Sequence, residues 1–171
     1  MAMNMRGLLG RGVKINRGGP DAIEGTLMDV RWDHMVVHCK EGLVYVNESH
    51  IKSITDTGRS GGARGFMQDP IRSNNFLGVM RSLRYQRVQI NRGGPEKLEG
   101  ILADADQNQL VMTLKNQEIV RIPLYHVKSI SVLGKDQKNN NTSQGNKENS
   151  NQSQGNQSKG NQSKSNQSKG K

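Results

Sequence analysis

Ile15-Asn16-Arg17-Gly18-Gly19-Pro20 returns unchanged as Ile90-Asn91-Arg92-Gly93-Gly94-Pro95, 75 positions later. The match spreads outward from this hexapeptide. Downstream, Glu24, Gly25, Leu27, Asp29, Val36 and Lys40 recur as Glu99, Gly100, Leu102, Asp104, Val111 and Lys115. One residue is then added in the second copy. After it, Val44, His50, Lys52, Ser53 and Ile54 recur as Val120, His126, Lys128, Ser129 and Ile130. Upstream, Met5, Arg6, Leu8 and Val13 stand opposite Met80, Arg81, Leu83 and Val88. The chain is therefore built on an internal duplication.

Each copy reads as short strands with turn punctuation. In the first, a strand at Val13–Asn16 leads into a turn at Arg17-Gly18-Gly19-Pro20, where the glycines can take positive φ and proline fixes the exit. Strands are expected at Ile23–Val30, Met35–Cys39, Leu43–Asn47 and Ile51–Thr55. Gly25, inside the second of the five, is read as a bulge or tight bend. A helix is expected over Asn74–Arg84, with Phe76, Leu77, Met80 and Leu83 at helical spacing. Its counterpart ahead of Val13 is shorter and broken by Gly7, Gly10 and Gly12. Five short strands with a bent second strand imply a mainly β chain of two tandem small barrels, of Sm or Src-homology-3 type. The expected organisation is a first barrel at 1–57, a Gly/Arg-rich linker at 58–71, a second barrel with its leading helix at 72–134, and a tail at 135–171. Units this small bury little core alone. The two copies are expected to pack on each other or on neighbouring chains, most simply as a pseudo-two-fold pair.

Composition divides at the start of that tail. The whole chain has 171 residues, a net charge of +10 and 32% hydrophobic residues. Residues 135–171 contain no hydrophobic residue, only Asn, Gln, Ser, Lys, Gly and single Thr, Asp and Glu. Such a segment cannot build a core and is expected to be disordered. The first 134 residues then rise to about 41% hydrophobic, near the globular norm. Seven Lys against one Asp and one Glu give the tail +5, half of the total charge. No apolar run approaches the ~20 residues of a membrane-spanning helix. Cys39 is the single cysteine, which excludes a disulfide scaffold. No secretory leader is read at the N-terminus, so cytoplasmic synthesis is expected.

The duplicated Ile-Asn-Arg-Gly-Gly-Pro-(Asp/Glu)-x-(Ile/Leu)-Glu-Gly, with His-(Ile/Val)-Lys-Ser-Ile closing each copy, resembles the spore coat protein B family of endospore-forming bacilli. The resemblance extends in kind to the basic, serine-containing tail. It implies a structural, non-enzymatic protein of the outer spore coat, made in the mother-cell cytoplasm. Its implied partners are other coat proteins, further copies of itself and a coat-associated protein kinase. The kinase would act on the tail, where Ser153, Ser158, Ser163, Ser165 and Ser168 are the candidate acceptors. The chain departs from longer members in having two copies where they have a further one. Its tail also runs in Asn-Gln-Ser-(Lys/Gln)-(Gly/Ser) repeats.

Other chemistry finds less support. Asn16–Pro20 and Asn91–Pro95 could form an anion-binding nest of backbone amides with Arg17 or Arg92. With no helix N-terminus following, a turn whose glycines serve backbone geometry is the favoured reading. His50 with Lys52, and His126 with Lys128, recur in the turn before the last strand, where a structural hydrogen bond is expected. His34 and His38 share a strand face, and with Cys39 and His50 suggest a metal site. The second copy has Gln109, Thr113 and Leu114 in place of the first three, so neither metal nor other cofactor is expected. Glu24/Glu99 and Asp29/Asp104 recur without a nucleophile or base, which argues against catalysis. Cross-strand pairs of Glu24 with Arg17, or Lys52 with Asp29, would contribute ~0.2–1 kcal/mol. The alternative to a coat protein is a cytoplasmic small-barrel RNA- or polyanion-binding protein. Against it, aromatics for base stacking are few and neither copy has an Arg-Gly near its last strands.

Overall fold

A computed structural model describes residues 5–60 and 68–134. The first copy holds β1 (Arg11–Ile15), β2 (Ile23–Val30), β3 (His34–Cys39), β4 (Gly42–Asn47) and β5 (Ile54–Ser60). The second holds β6 (Arg87–Ile90), β7 (Leu98–Ala105), β8 (Gln109–Thr113), β9 (Ile119–Pro123) and β10 (Ser129–Val132). A helix, α1 (Phe76–Ser82), leads the second copy, and a 3-10 turn at Met5–Leu8 leads the first. The fifth strand starts three residues later than expected and runs on through Ser60, so residues 58–60 of the expected linker are strand. The remainder of the Gly/Arg-rich stretch, 61–67, and the tail lie outside the described residues.

The ten strands of the described residues form one antiparallel sheet in the order β5-β1-β2-β3-β4-β10-β6-β7-β8-β9. Each copy contributes the same internal order: fifth, first, second, third, fourth. Neither set closes on itself, which corrects the expectation of two barrels. The edge of β4, which closure would pair with β5, is occupied by β10 of the other copy. That antiparallel ladder sets Val46, Tyr45 and Val44 opposite Ser129, Ile130 and Ser131. It satisfies the backbone groups of both edges, as closure would have done. The expected pseudo-two-fold is also corrected. The copies follow one another head to tail along the sheet, fourth strand of one to fifth strand of the next.

The duplication holds down to backbone detail. A Cβ on Gly25 would collide with the carbonyl oxygen of His38, and one on Gly100 with that of Thr113. These glycines permit close strand approach. The bulge lies further along, between Leu27 and Asp29 and again between Leu102 and Asp104. The recurring aspartate accepts the next backbone N–H at each bulge, 2.8 Å from Val30 and 2.8 Å from Ala105. Ahead of the first strand, Gly10 and its counterpart Tyr85 both take positive φ, and their N–H groups donate to Leu27 and Leu102 respectively.

Two apolar cores flank the sheet. Val13, Ile15, Leu27, Met35, Val37, Val44 and Val46 lie in the first, covered by Met5. The second gathers Phe76, Val79, Met80 and Leu83 around α1 with Val88, Ile90, Leu102, Leu110, Met112 and Ile130. Val36, Leu43 and Tyr45 also belong to this second core, although they come from the first copy. Strands β3 and β4 are thus buried on both faces. Their continuous apolar runs, Met35-Val36-Val37 and Leu43-Val44-Tyr45-Val46, suit that position.

The helix starts at Phe76 because Asn75 caps it, its side chain accepting from the Gly78 N–H at 2.7 Å. Asp33 ties it to the first copy. One carboxylate oxygen accepts from the Phe76 N–H at 2.8 Å, and the other lies 2.7 Å from Nδ1 of buried His34.

Candidate functional site

The two recurring motifs of each copy are parts of one local structure. Asn16 takes the left-handed conformation, φ 53°, at the end of β1. Its side-chain NH2 donates to the His50 carbonyl at 3.0 Å, and its side-chain oxygen accepts from the Lys52 N–H at 2.7 Å. Asn91, φ 55°, repeats this with the His126 carbonyl at 3.2 Å and the Lys128 N–H at 2.8 Å. Asparagine suits both demands, since it tolerates this conformation and carries a donor and an acceptor. The His-x-Lys turn recurs because the asparagine clamps its backbone.

The glycines that follow are used differently in the two copies. Gly18 has positive φ in the first and Gly94, the counterpart of Gly19, in the second. Gly93 runs against the backbone of Pro20, where a Cβ would collide with the proline carbonyl. The second Arg-Gly-Gly-Pro loop therefore touches the first, and both sit at the joint between the copies.

That joint is the most elaborated polar site among the described residues. Next to the β4–β10 ladder, Asn47 donates its backbone N–H to the Lys128 carbonyl at 2.9 Å and its side chain to Val127 at 3.1 Å. Lys128 places its ammonium 3.2 Å from Asp21 of the first copy and 3.2 Å from Glu96 of its own. Hydrogen bonds to Glu96 and then Asp21 raise its pKa above the ordinary value. Arg92 pairs with Glu41 in the β3–β4 hairpin, and its hydrogen bond holds that carboxyl below the usual range. His50 Nε2 lies 2.7 Å from the Tyr125 carbonyl. Tyr45 accepts the Ile71 N–H at 2.8 Å on its hydroxyl oxygen, and burial raises its pKa.

The structure thus brings Pro20, Gly93, Arg92, His50 and Lys128 together at the joint. Arg17 and Lys52 instead remain at the outer end of the first copy, and Pro95 is exposed on its loop. The expected partners of the recurring acids are corrected. Glu24 lies 3.8 Å from Lys14, its cross-strand neighbour, and Asp29 is 2.7 Å from Arg31. No group of three potential metal ligands gathers among the described residues. His34 is engaged with Asp33 and packs 6.0 Å from the Phe76 ring. Ser153, Ser158, Ser163, Ser165 and Ser168 lie outside the described residues.

Sequence reasoning missed Asp21, Asp33, Glu41, Tyr45 and Asn47. The available signal was the unbroken apolar character of β3 and β4, set against the alternating Gln109-Leu110-Val111-Met112-Thr113 of the second copy. An unbroken run marks the hairpin covered on both sides.

No protein-family model matches the chain. Among characterised proteins it is 38% identical over 143 residues to spore coat protein B of Bacillus subtilis (strain 168). The match takes in 77% of this chain and 37% of that protein, so the chain spans little more than a third of its relative's length. By identity over most of its own length, the chain resembles the spore coat protein B family.

Proposed function

We propose that the chain is a structural component of the bacterial spore coat, located in its outer layer and acting by assembly with other coat proteins and with itself. The observation that carries this reading is the 38% identity to spore coat protein B over most of the chain. The geometry is in keeping with it. The recurring Asn, His and Lys are engaged in clamping turns, and Lys128 and Arg92 in joining one copy to the next. The reading is non-enzymatic. Each five-strand set is read as an opened Sm-like module whose fourth strand finds its partner in another module.

The tail is assigned the second task. Phosphate on Ser153, Ser158, Ser163, Ser165 or Ser168 would add about −1.5 to −2 each and offset its +5. A basic segment that attracts polyanions would then bridge lysine to phosphoserine on neighbouring chains. Phosphopeptide mapping of coat extracts tests that step.

A fluorescently tagged copy followed through sporulation tests the main reading. The expected result is signal that gathers around the developing spore and is retained on the released spore. Diffuse cytoplasmic signal, with none on the spore, would overturn it. So would tight, base-selective RNA binding by the tagged protein recovered from cells.

A further inference from the structure

Among the described residues, the ten-stranded sheet ends in two edges without a partner strand, β5 at one end and β9 at the other. They are the duplicates of β10 and β4, which are paired with each other in the middle. Every edge that lacks a partner at the ends has a counterpart that has one inside.

We propose that β9 of one molecule pairs with β5 of a second copy of this chain, reproducing the internal joint between molecules. This names the contact behind the self-assembly proposed above and rests on that reading. Transfer of the internal register places Ser53, Ile54 and Thr55 opposite Ile122, Arg121 and Val120.

Charge and burial favour this occupant. At the internal joint, Lys128 reaches Asp21 and Arg92 reaches Glu41. Their duplicates Lys52 and Arg17 make no ion pair among the described residues. At the β9 end the matching acids are present: Glu96 is the duplicate of Asp21, and Glu118 stands in the hairpin tip that corresponds to that of Glu41. An incoming β5 would thus bring two unengaged cations to two acids, Glu96 sharing its carboxylate with Lys128 of its own copy. Ile119, 67% exposed, is the duplicate of Leu43, which is 7% exposed where the joint is made. One bond has no duplicate. Pro123 replaces Asn47 and has no N–H to donate, so the contact between molecules is the weaker of the two. A head-to-tail contact of this kind closes into a ring or continues as a filament.

Sedimentation velocity of the full chain over a range of concentrations reads the contact. Larger species are expected as concentration rises. Arg17→Glu or Lys52→Glu should weaken association about tenfold or more, by placing like charges at the contact. Adding Glu118→Arg to Arg17→Glu should restore it. Thr55→Cys with Val120→Cys should give a ladder of disulfide-linked multimers on mild oxidation, because opposed residues lie within disulfide reach. Asp56→Cys with Val120→Cys, one residue out of register, should not. A chain that stays monomeric throughout would overturn the proposal. So would multimers that ignore both charge reversals and form no in-register ladder. A monomer that still lodges on the spore removes this contact and leaves the coat role standing. An assembling chain absent from the spore does the reverse.

Discussion

At the scale of single residues, Cys39 shows how position governs chemistry. As a lone cysteine on the strand that carries His34 and His38 it invites a metal reading. Its side chain instead points into the first core, packed with Met35, Val37 and Val44. Burial pushes the thiol up to about 11 from its ordinary 9.0, partly opposed by the charge of Arg92. Between those pH values the unfolded chain releases the proton and the folded chain keeps it. Stability therefore falls as pH rises from 9 to 11, by about 2–3 kcal/mol from this group. Cys39→Ala should lower stability at neutral pH and flatten the alkaline decline. Urea unfolding of both proteins across this pH window checks it, and parallel declines would clear the thiol of blame. Lys128 adds a loss of the same sign at higher pH. Its raised pKa means that its contribution is complete below the ordinary lysine value and disappears as pH passes the folded value. Glu41 acts at the other end of the scale. Its pKa is lowered, so its pairing with Arg92 is complete above the ordinary carboxylate range and is lost as acid passes the depressed value.

At the scale of elements, the Asn clamp unites two motifs that the sequence displays 34 residues apart. Asn91 is the stricter case, being 3% exposed with its side-chain oxygen accepting from both Lys128 and Ser129. Asn91→Ala would leave the His126 carbonyl and the Lys128 N–H without their partner and force alanine into the left-handed region. A loss of roughly 3 kcal/mol is expected, from unsatisfied buried groups and backbone strain together. Asn91→Gly removes the strain but not the lost bonds, so it should cost less. Denaturant midpoints for the two variants check the order, and equal losses would mean that the backbone conformation contributes nothing. The existence and type of these elements were legible because turn chemistry is local. Gly-Gly-Pro announces a turn, and β2 was read end to end from its apolar pattern. The ends of α1 and β5 were less legible. Asn75 turned out to be the cap and not part of the helix, and β5 is extended by pairing with β1 through Arg11 and Ser60. Pairing partners leave no mark on the strand that receives them.

At the scale of the whole molecule, the barrel expectation failed for a related reason. A five-strand unit can satisfy its open edge by closing or by borrowing a strand, and the local sequence is the same for both. What distinguishes them is the burial required of β3 and β4. In the first copy Val36, Leu43 and Tyr45 point into a core that belongs mostly to the second copy. The two cores therefore share a hairpin, and the copies should unfold as one. Tyr45→Ala tests this. Tyr45 is 2% exposed, and its truncation removes a large buried ring as well as the acceptor for the Ile71 N–H. A loss of about 3–5 kcal/mol is expected. Hydrogen exchange by mass spectrometry should then show equal loss of protection in β1–β2 of the first copy and in β6–β8 of the second. The wild-type chain should unfold in a single transition seen alike by every probe. Loss confined to one copy would mean that each core stands alone and that β4–β10 joins two independent domains. Equal loss in both means that the duplication created one folding unit from two incomplete halves, with the last half still carrying the open edge of the first.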